Sequence, residues 1–326
     1  MSSAPHGHES WPALPLSGWR DTRDTLYLWT QVVGKVRLAL APHLNHYWQV
    51  PLYVTARGLG TSSVPCGDRI FEATFDSVAH ELAIATSDGA RRAVALASKP
   101  VATFHDEVTR ALGELGIEVE ILTRPVEVED PIPFEQDTVH RTYDPDFARR
   151  FHLALVGASR ALEAFRSGFV GKASPVHFFW GSFDLAHTRF SGRRAPEHPP
   201  VPHTPRRVVR EAYSHELASF GFWPGSGGFE AAFYAYAYPE PEGFSAADLT
   251  PPEAFYAPRL GEHILPYEAV RLAPSPEEAL RAFFESAYEA AATLGGWDRA
   301  TLEREAPAPR DEGGRARARS RRGLGA

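Results

Sequence analysis

A chain of 326 residues, with 43% hydrophobic and 23% charged side chains, is comfortable as two domains and has the composition of a folded globular protein. Its formal net charge of −7 becomes −11 once the tail from Ala306 onward is set aside, with its six arginines against Asp311 and Glu312, which argues against a general nucleic-acid binder. One cysteine, Cys66, excludes an internal disulfide and a multi-cysteine zinc site; no apolar run reaches the roughly 18–20 residues of a membrane helix, and no signal-peptide pattern opens the chain, so a soluble cytoplasmic protein is expected.

The first strong helix is DTRDTLYLWTQVVGKVRLAL, with Asp21 or Asp24 as cap, a stripe of Leu26, Trp29, Val33, Val36 and Leu40, and Pro42 as stop. Strands are expected in QVPLYVTARG, FEATFD and HELAIATSDG, the last turning at Asp88-Gly89 so that RRAVALA pairs back. A helix over Val101 to Leu115, ending at Gly116, carries Phe104, Val108, Leu112 and Leu115 on one face, and IEVEIL reads as a closing strand. The acidic, proline-containing stretch 126–143 reads as a linker.

The second half opens with a helix capped by Asp144, with Pro145 at its first position and Gly168 just past its end. The stretch 177–193, HFFWGSFDLAHTRFSGR, reads as one strand, and RRVVREAYSHELASFG as a helix from a Thr204 cap to Gly221. FEAAFYAYAYPEP is an aromatic strand, and a final helix begins at the capping box Ser275-Pro276-Glu277-Glu278. Strands cluster between helices, which gives an α+β fold of two similar α-β(antiparallel)-α lobes. The echo of FEATF (71–75) in FEAAF (229–233) suggests an internal duplication. The expected divisions are an N-terminal extension (1–20), a first lobe (21–125), the linker, a second lobe (144–305) and a disordered arginine-rich tail (306–326).

WPALPL, TLYLWTQVVGKVRLALAPHLNHYWQVPLYVTARGL, SPVHFFWGSFDLAHTRFSGR, EAYSHELASFGFWPG and FYAYAYPEPEGF lie along the chain in that order. Together they resemble an uncharacterised bacterial family defined only as a domain of unknown function, over nearly the whole chain up to about Glu305. That resemblance implies no activity, cofactor or partner. The sequence departs from the family pattern at Tyr47 and at His187, where the pattern has an apolar residue, and this makes His187 a poor ligand candidate.

Three groups of residues bear chemistry. On an extended strand Trp180, Ser182, Asp184 and Thr188 share one face while Phe179, Phe183 and Leu185 take the other, and Arg189 points away unless the strand bulges. The polar face either lines a ligand site or meets water. In NHYW, Asn45, His46 and Trp48 follow the first helix, and His46 is a candidate general base; local capping and packing is the competing reading. Lys35, four residues after Gln31, presents an ammonium toward that corner or into solvent. In EAYSHE, Glu211 and His215 stand at helical i, i+4 spacing and Glu216 points elsewhere, but Ser219 occupies the place of the second histidine of a zinc-protease motif.

GSGG (225–228) lacks the Lys and Ser/Thr of a phosphate loop, no Gly-x-Ser-x-Gly elbow occurs, and FYAYAY has no interleaved basic residues for nucleic-acid stacking. The leading expectation is a small-molecule-binding protein or acid–base enzyme with a polar, aromatic-walled cleft in the second lobe. His46, Asp184 and His215 are its candidate catalytic groups. Lys35, Asn45, Trp48, Trp180, Ser182, Thr188, Arg189, Glu216 and Trp223 are its candidate ligand contacts. No cofactor, metal, membrane or specific nucleic acid is expected. The alternative is a non-catalytic scaffold that binds a partner through exposed aromatics.

Overall fold

Helix α1 (Leu16–Leu40) runs through the middle of the molecule, with most of its residues buried from Trp19 to Arg37. The computed structural model describes residues 10–304, so the arginine-rich tail and the first nine residues lie outside the described residues. Trp29 of α1 stacks on Phe104 of α2 (Val101–Glu114) at 4.6 Å between ring centroids, and on Tyr143 at 5.7 Å. Two six-stranded antiparallel sheets flank this helical centre, and one continuous core cluster runs from Trp11 to Leu302 through both halves. The fold is α+β.

The first sheet has the order β1 (Tyr53–Val54), β2 (Gly58–Gly60), β4 (Arg69–Asp76), β5 (Glu81–Thr86), β6 (Arg91–Ala95), with β3 (Val64–Cys66) also on β4. Alternation sends Phe71, Ala73, Phe75, Leu82 and Ile84 inward. Gly89, at φ +90°, makes the β5–β6 turn.

The second sheet has the order β11 (Phe255–Ala257), β12 (Glu262–Pro266), β10 (Ala232–Tyr238), β9 (His215–Trp223), β8 (Asp184–Arg194), β7 (His177–Phe179). Helices α3 (Pro145–Arg166) and α6 (Pro276–Leu294) pack on one face of it. Leu185, Ala218, Phe220, Phe222, Phe233 and Ala235 meet these helices and are all at most 1% exposed. Three short helices, α4 (Arg206–Ala212), α5 (Tyr267–Leu272) and α7 (Arg299–Leu302), also lie in the second half of the chain.

Several expectations change. Residues 177–193 form a hairpin, because the chain reverses at 180–183 with Phe183 at φ +59°, and Phe179 pairs with Asp184. RRVVREAYSHELASFG is helical only through Ala212; His215 onward is β9, paired on both edges with β8 and β10, which outweighs the helical spacing. Residues 117–122 form no strand, and the backbone carbonyl of Leu122 accepts instead from Lys35 Nζ at 2.8 Å. Within QVPLYVTARG, Tyr53–Val54 forms β1, Leu52 bridges Phe178 and Gly58 begins β2, so the stretch is not one continuous strand. Helix α1 starts at Leu16, without an Asp21 or Asp24 cap, and Trp11 to Trp19 contribute to the core rather than extending from it. Within 126–143, Phe134, Asp137 and Tyr143 are buried. FEATF lies inside β4, whereas FEAAF enters β10 only at Ala232.

Candidate functional site

The face of the second sheet turned away from α3 and α6 carries a cleft of about 660 Å³. Its floor follows from strand alternation: Asp184, Ala186, Thr188 and Phe190 on β8, Leu217, Ser219 and Trp223 on β9, Tyr234 and Tyr236 on β10, and Glu262 and Ile264 on β12. Helix α4, the segment around His198 and the turn at His46–Trp48 form its walls.

Asp184, the first residue of β8, lies on this floor and is 7% exposed. Ser182 Oγ donates to its Oδ1 at 2.5 Å and the Tyr234 hydroxyl donates to its Oδ2. Tyr234 lies on β10 and must cross β9 to reach β8. It does so over Gly221, where an added Cβ would lie 2.4 Å from the tyrosine hydroxyl. Burial raises the Asp184 carboxyl above its ordinary value, and the two hydrogen bonds oppose that shift.

Two more carboxyls feel this charge. Glu262 is half-buried, and burial with the Asp184 charge pushes it up to about 7. Glu127 is open to solvent on one side, but the protein packed around it and the Asp184 charge also push its carboxyl up to about 7. Glu127 is held in place from α1. Gln31 makes a two-way clamp on Val126 (Nε2 to O and N to Oε1, both 2.9 Å), and the Tyr27 hydroxyl donates to Gly181 O at 2.6 Å. Any Cβ at Gly181 would come within 2.3 Å of Glu127 Oε1, so the glycine makes room for that carboxyl. Among the described residues no three His, Cys, Asp or Glu side chains converge as a metal site.

At one end of the cleft His46 is backed by Lys172. His46, at φ +58° and 5% exposed, places Nδ1 3.2 Å from Ala212 O and Nε2 2.6 Å from Lys172 Nζ. A carbonyl beside Nδ1 puts the proton there and leaves Nε2 to accept from the ammonium. Burial, then the Lys172 charge, lowers the imidazole from its ordinary value.

A family model covers residues 11–304, and it is that of DUF5996, a family of unknown function. The chain belongs to this family. The family description carries no activity, and neither a curated protein nor a solved structure matches the chain.

Of the residues singled out in the sequence, His46, Trp48, Ser182, Asp184, Thr188 and Trp223 line the cleft, and the His215 ring lies 5.8 Å from that of His46. Thr188 Oγ1 and Ser219 Oγ are 3.1 Å apart. The remaining five are placed elsewhere. Trp180 is buried in the hairpin turn against Gly34 of α1, its Nε1 donating to Val50 O at 2.8 Å. Arg189 is 4% exposed on the helix-facing side, its guanidinium 3.5 Å from the Phe165 ring centroid, and burial lowers it to about 10. Glu216, also on the other side of the sheet, holds Arg193 at 2.6 Å. Lys35 is buried and spends its ammonium on Leu122 O and Arg124 O, and Asn45 is exposed outside the cleft. The Glu211–His215 pair fails because His215 is on a strand; Glu211 instead meets His43 Nε2 at 3.0 Å. Phe179 lines the cleft instead of the core, because it pairs in register with Asp184.

The residues that sequence reasoning missed are Glu127, Lys172, Tyr234, Tyr236 and Glu262. A signal existed for the tyrosines: 234, 236 and 238 recur at period two between alanines, which places all three on one face. For Glu127 the segment reads only as an acidic connection.

Proposed function

We propose that this protein binds a small organic molecule in the cleft of the second sheet and transfers a proton to or from it. The observation that carries this reading is the buried Asp184, with Tyr234 and Ser182 on its two oxygens, at the floor of a cleft large enough for a metabolite-sized molecule. Glu127 and Glu262, both pushed up to about 7, exchange protons near neutral pH and serve as the general acid and base candidates. Asp184 positions these groups through its charge and anchors the tyrosine edge that faces the ligand. The aromatics of β10 favour this over a scaffold with an aromatic docking face, since Tyr234 is buried and Tyr236 and Tyr238 are half-buried. A single cysteine supports a cytoplasmic setting.

The test is a small-molecule screen by thermal shift, with hits measured again on Asp184→Asn and on Thr188→Trp, which places an indole in the cleft. Hits should bind at least about tenfold more weakly to both variants, the loss expected for one charge-assisted hydrogen bond. Hits that bind both folded variants as they bind the wild type would place the ligand elsewhere.

A further inference from the structure

Beside the end of the cleft lined by His46, Trp48 and Phe190 stand two cations, Lys172 and Arg194, that have no ion-pair partner among the described residues. Phe190 N donates to Lys172 O at 3.0 Å, and Ala173 bridges Arg189, so Lys172 stands opposite Phe190 and on its cleft side. The ammonium lies 5.0 Å from the Phe190 ring centroid and 5.7 Å from that of Trp48, with His46 Nε2 at 2.6 Å. Beside it, Arg194 pairs in register with His215, which begins β9 on the same face as Leu217 and Ser219. The charges acting on His215 are those of Lys172 and Arg194, both positive, and the charge acting on Lys172 is that of Arg194. Glu211, on the overlying α4, is already engaged by His43.

We infer that this end holds the anionic group of an aromatic acid, a carboxylate or a phosphate monoester, whose ring lies against Trp48 and Phe190. The inference rests on the cleft being the ligand site. Setting the Lys172 ammonium near the Arg194 guanidinium costs the fold repulsion that a bound anion relieves. The lysine and the His215 imidazole offer donors to its oxygens, while His46 orients the lysine through its accepting Nε2. The side walls are flat rings, suited to a planar body and not to a bare inorganic ion. Six residues of β8 separate Phe190 from Asp184, about 20 Å at the usual strand rise. A compact aromatic acid therefore sits at the Lys172 end alone, and an elongated one reaches the acid–base groups.

The experiment is calorimetric titration of the full chain with four probes of one shape: phenyl phosphate, benzoate, benzyl alcohol and benzylamine, each to millimolar concentration. Phenyl phosphate, benzoate or both should bind, and the neutral and cationic probes should not. Which of the two anions binds more tightly decides between phosphate and carboxylate. Lys172→Met, at an exposed position where the apolar stem is kept, should weaken the anions about tenfold or more without lowering the unfolding temperature. His215→Ala should weaken them as well. Benzyl alcohol or benzylamine binding as tightly as the anions, or anion affinities unchanged in Lys172→Met, would overturn the inference and leave the cleft reading standing. If none of the four probes binds, the inference is overturned, and the thermal-shift screen decides the cleft reading separately.

Discussion

Replacing Glu262 by Gln should stabilise the protein at about pH 8 and leave it unchanged at about pH 4. Burial and the charge of Asp184 hold this carboxyl at about 7 in the folded chain, against 4.5 for an unperturbed glutamate. Its folded value is raised, so the native state keeps the proton through the window between these two values while the unfolded chain releases it. The stability this provides is complete below about pH 4.5 and is lost as the pH rises to about 7. Above that, the fold carries an ionised carboxylate in an unfavourable place, at a cost of at most about 3 kcal/mol. Glu262 is half-buried, and solvent reduces that figure to about 1–2 kcal/mol. Gln keeps the shape and removes the charge. Denaturant unfolding of both proteins from about pH 4 to pH 8 should show curves that coincide in acid and diverge above about pH 5, with the variant more stable. A difference independent of pH, or a variant that loses stability as the pH rises, would refute the electrostatic account of the cleft floor.

Two further perturbations test how the site is held. Gly221→Ala places a Cβ 2.3 Å from Leu185 O and 2.4 Å from the Tyr234 hydroxyl, so Tyr234 must leave Asp184. Overpacking together with the lost hydrogen bond should lower stability by about 3 kcal/mol or more, read by thermal unfolding, and a variant crystal structure with Tyr234 still on Asp184 would contradict this. Gln31→Ala removes both hydrogen bonds to Val126, each worth about 1 kcal/mol, and should raise amide exchange across Val126–Glu127. Unchanged protection there would mean that other contacts hold Glu127.

Much of the local structure was readable from the order of residues. Asp144 caps α3 through its side chain, accepting from the backbone N–H of Asp146 and Phe147, and Pro145 follows at the first position. The stripe of Trp29, Val33 and Val36 lies in the core, although α1 is buried all round from Leu28 to Arg37, and Asp88-Gly89 closes the β5–β6 hairpin. Period two placed Asp184 and Thr188 on one side of β8 and Leu185 on the other, as found. These are short-range properties, set by side-chain spacing and backbone preference, and they are carried by the sequence alone.

The site itself joins residues that local patterns cannot connect. Tyr234 reaches Asp184 across 50 positions, the Gln31 clamp on Val126 spans 95, and Lys172 meets His46 across 126. HELASFGFW alternates as a strand but follows a helical start, and only its pairing with β8 and β10 made it extended. Alternation sorts side chains into two faces without saying which one helices will cover. In the second sheet α3 and α6 cover the face bearing Arg189, which therefore became a buried cation among rings, while the face bearing Asp184 stayed open as a cleft. The sequence by itself determined the faces. Tertiary packing decided which face met protein and which met solvent, because burial depends on what the rest of the chain places above a surface.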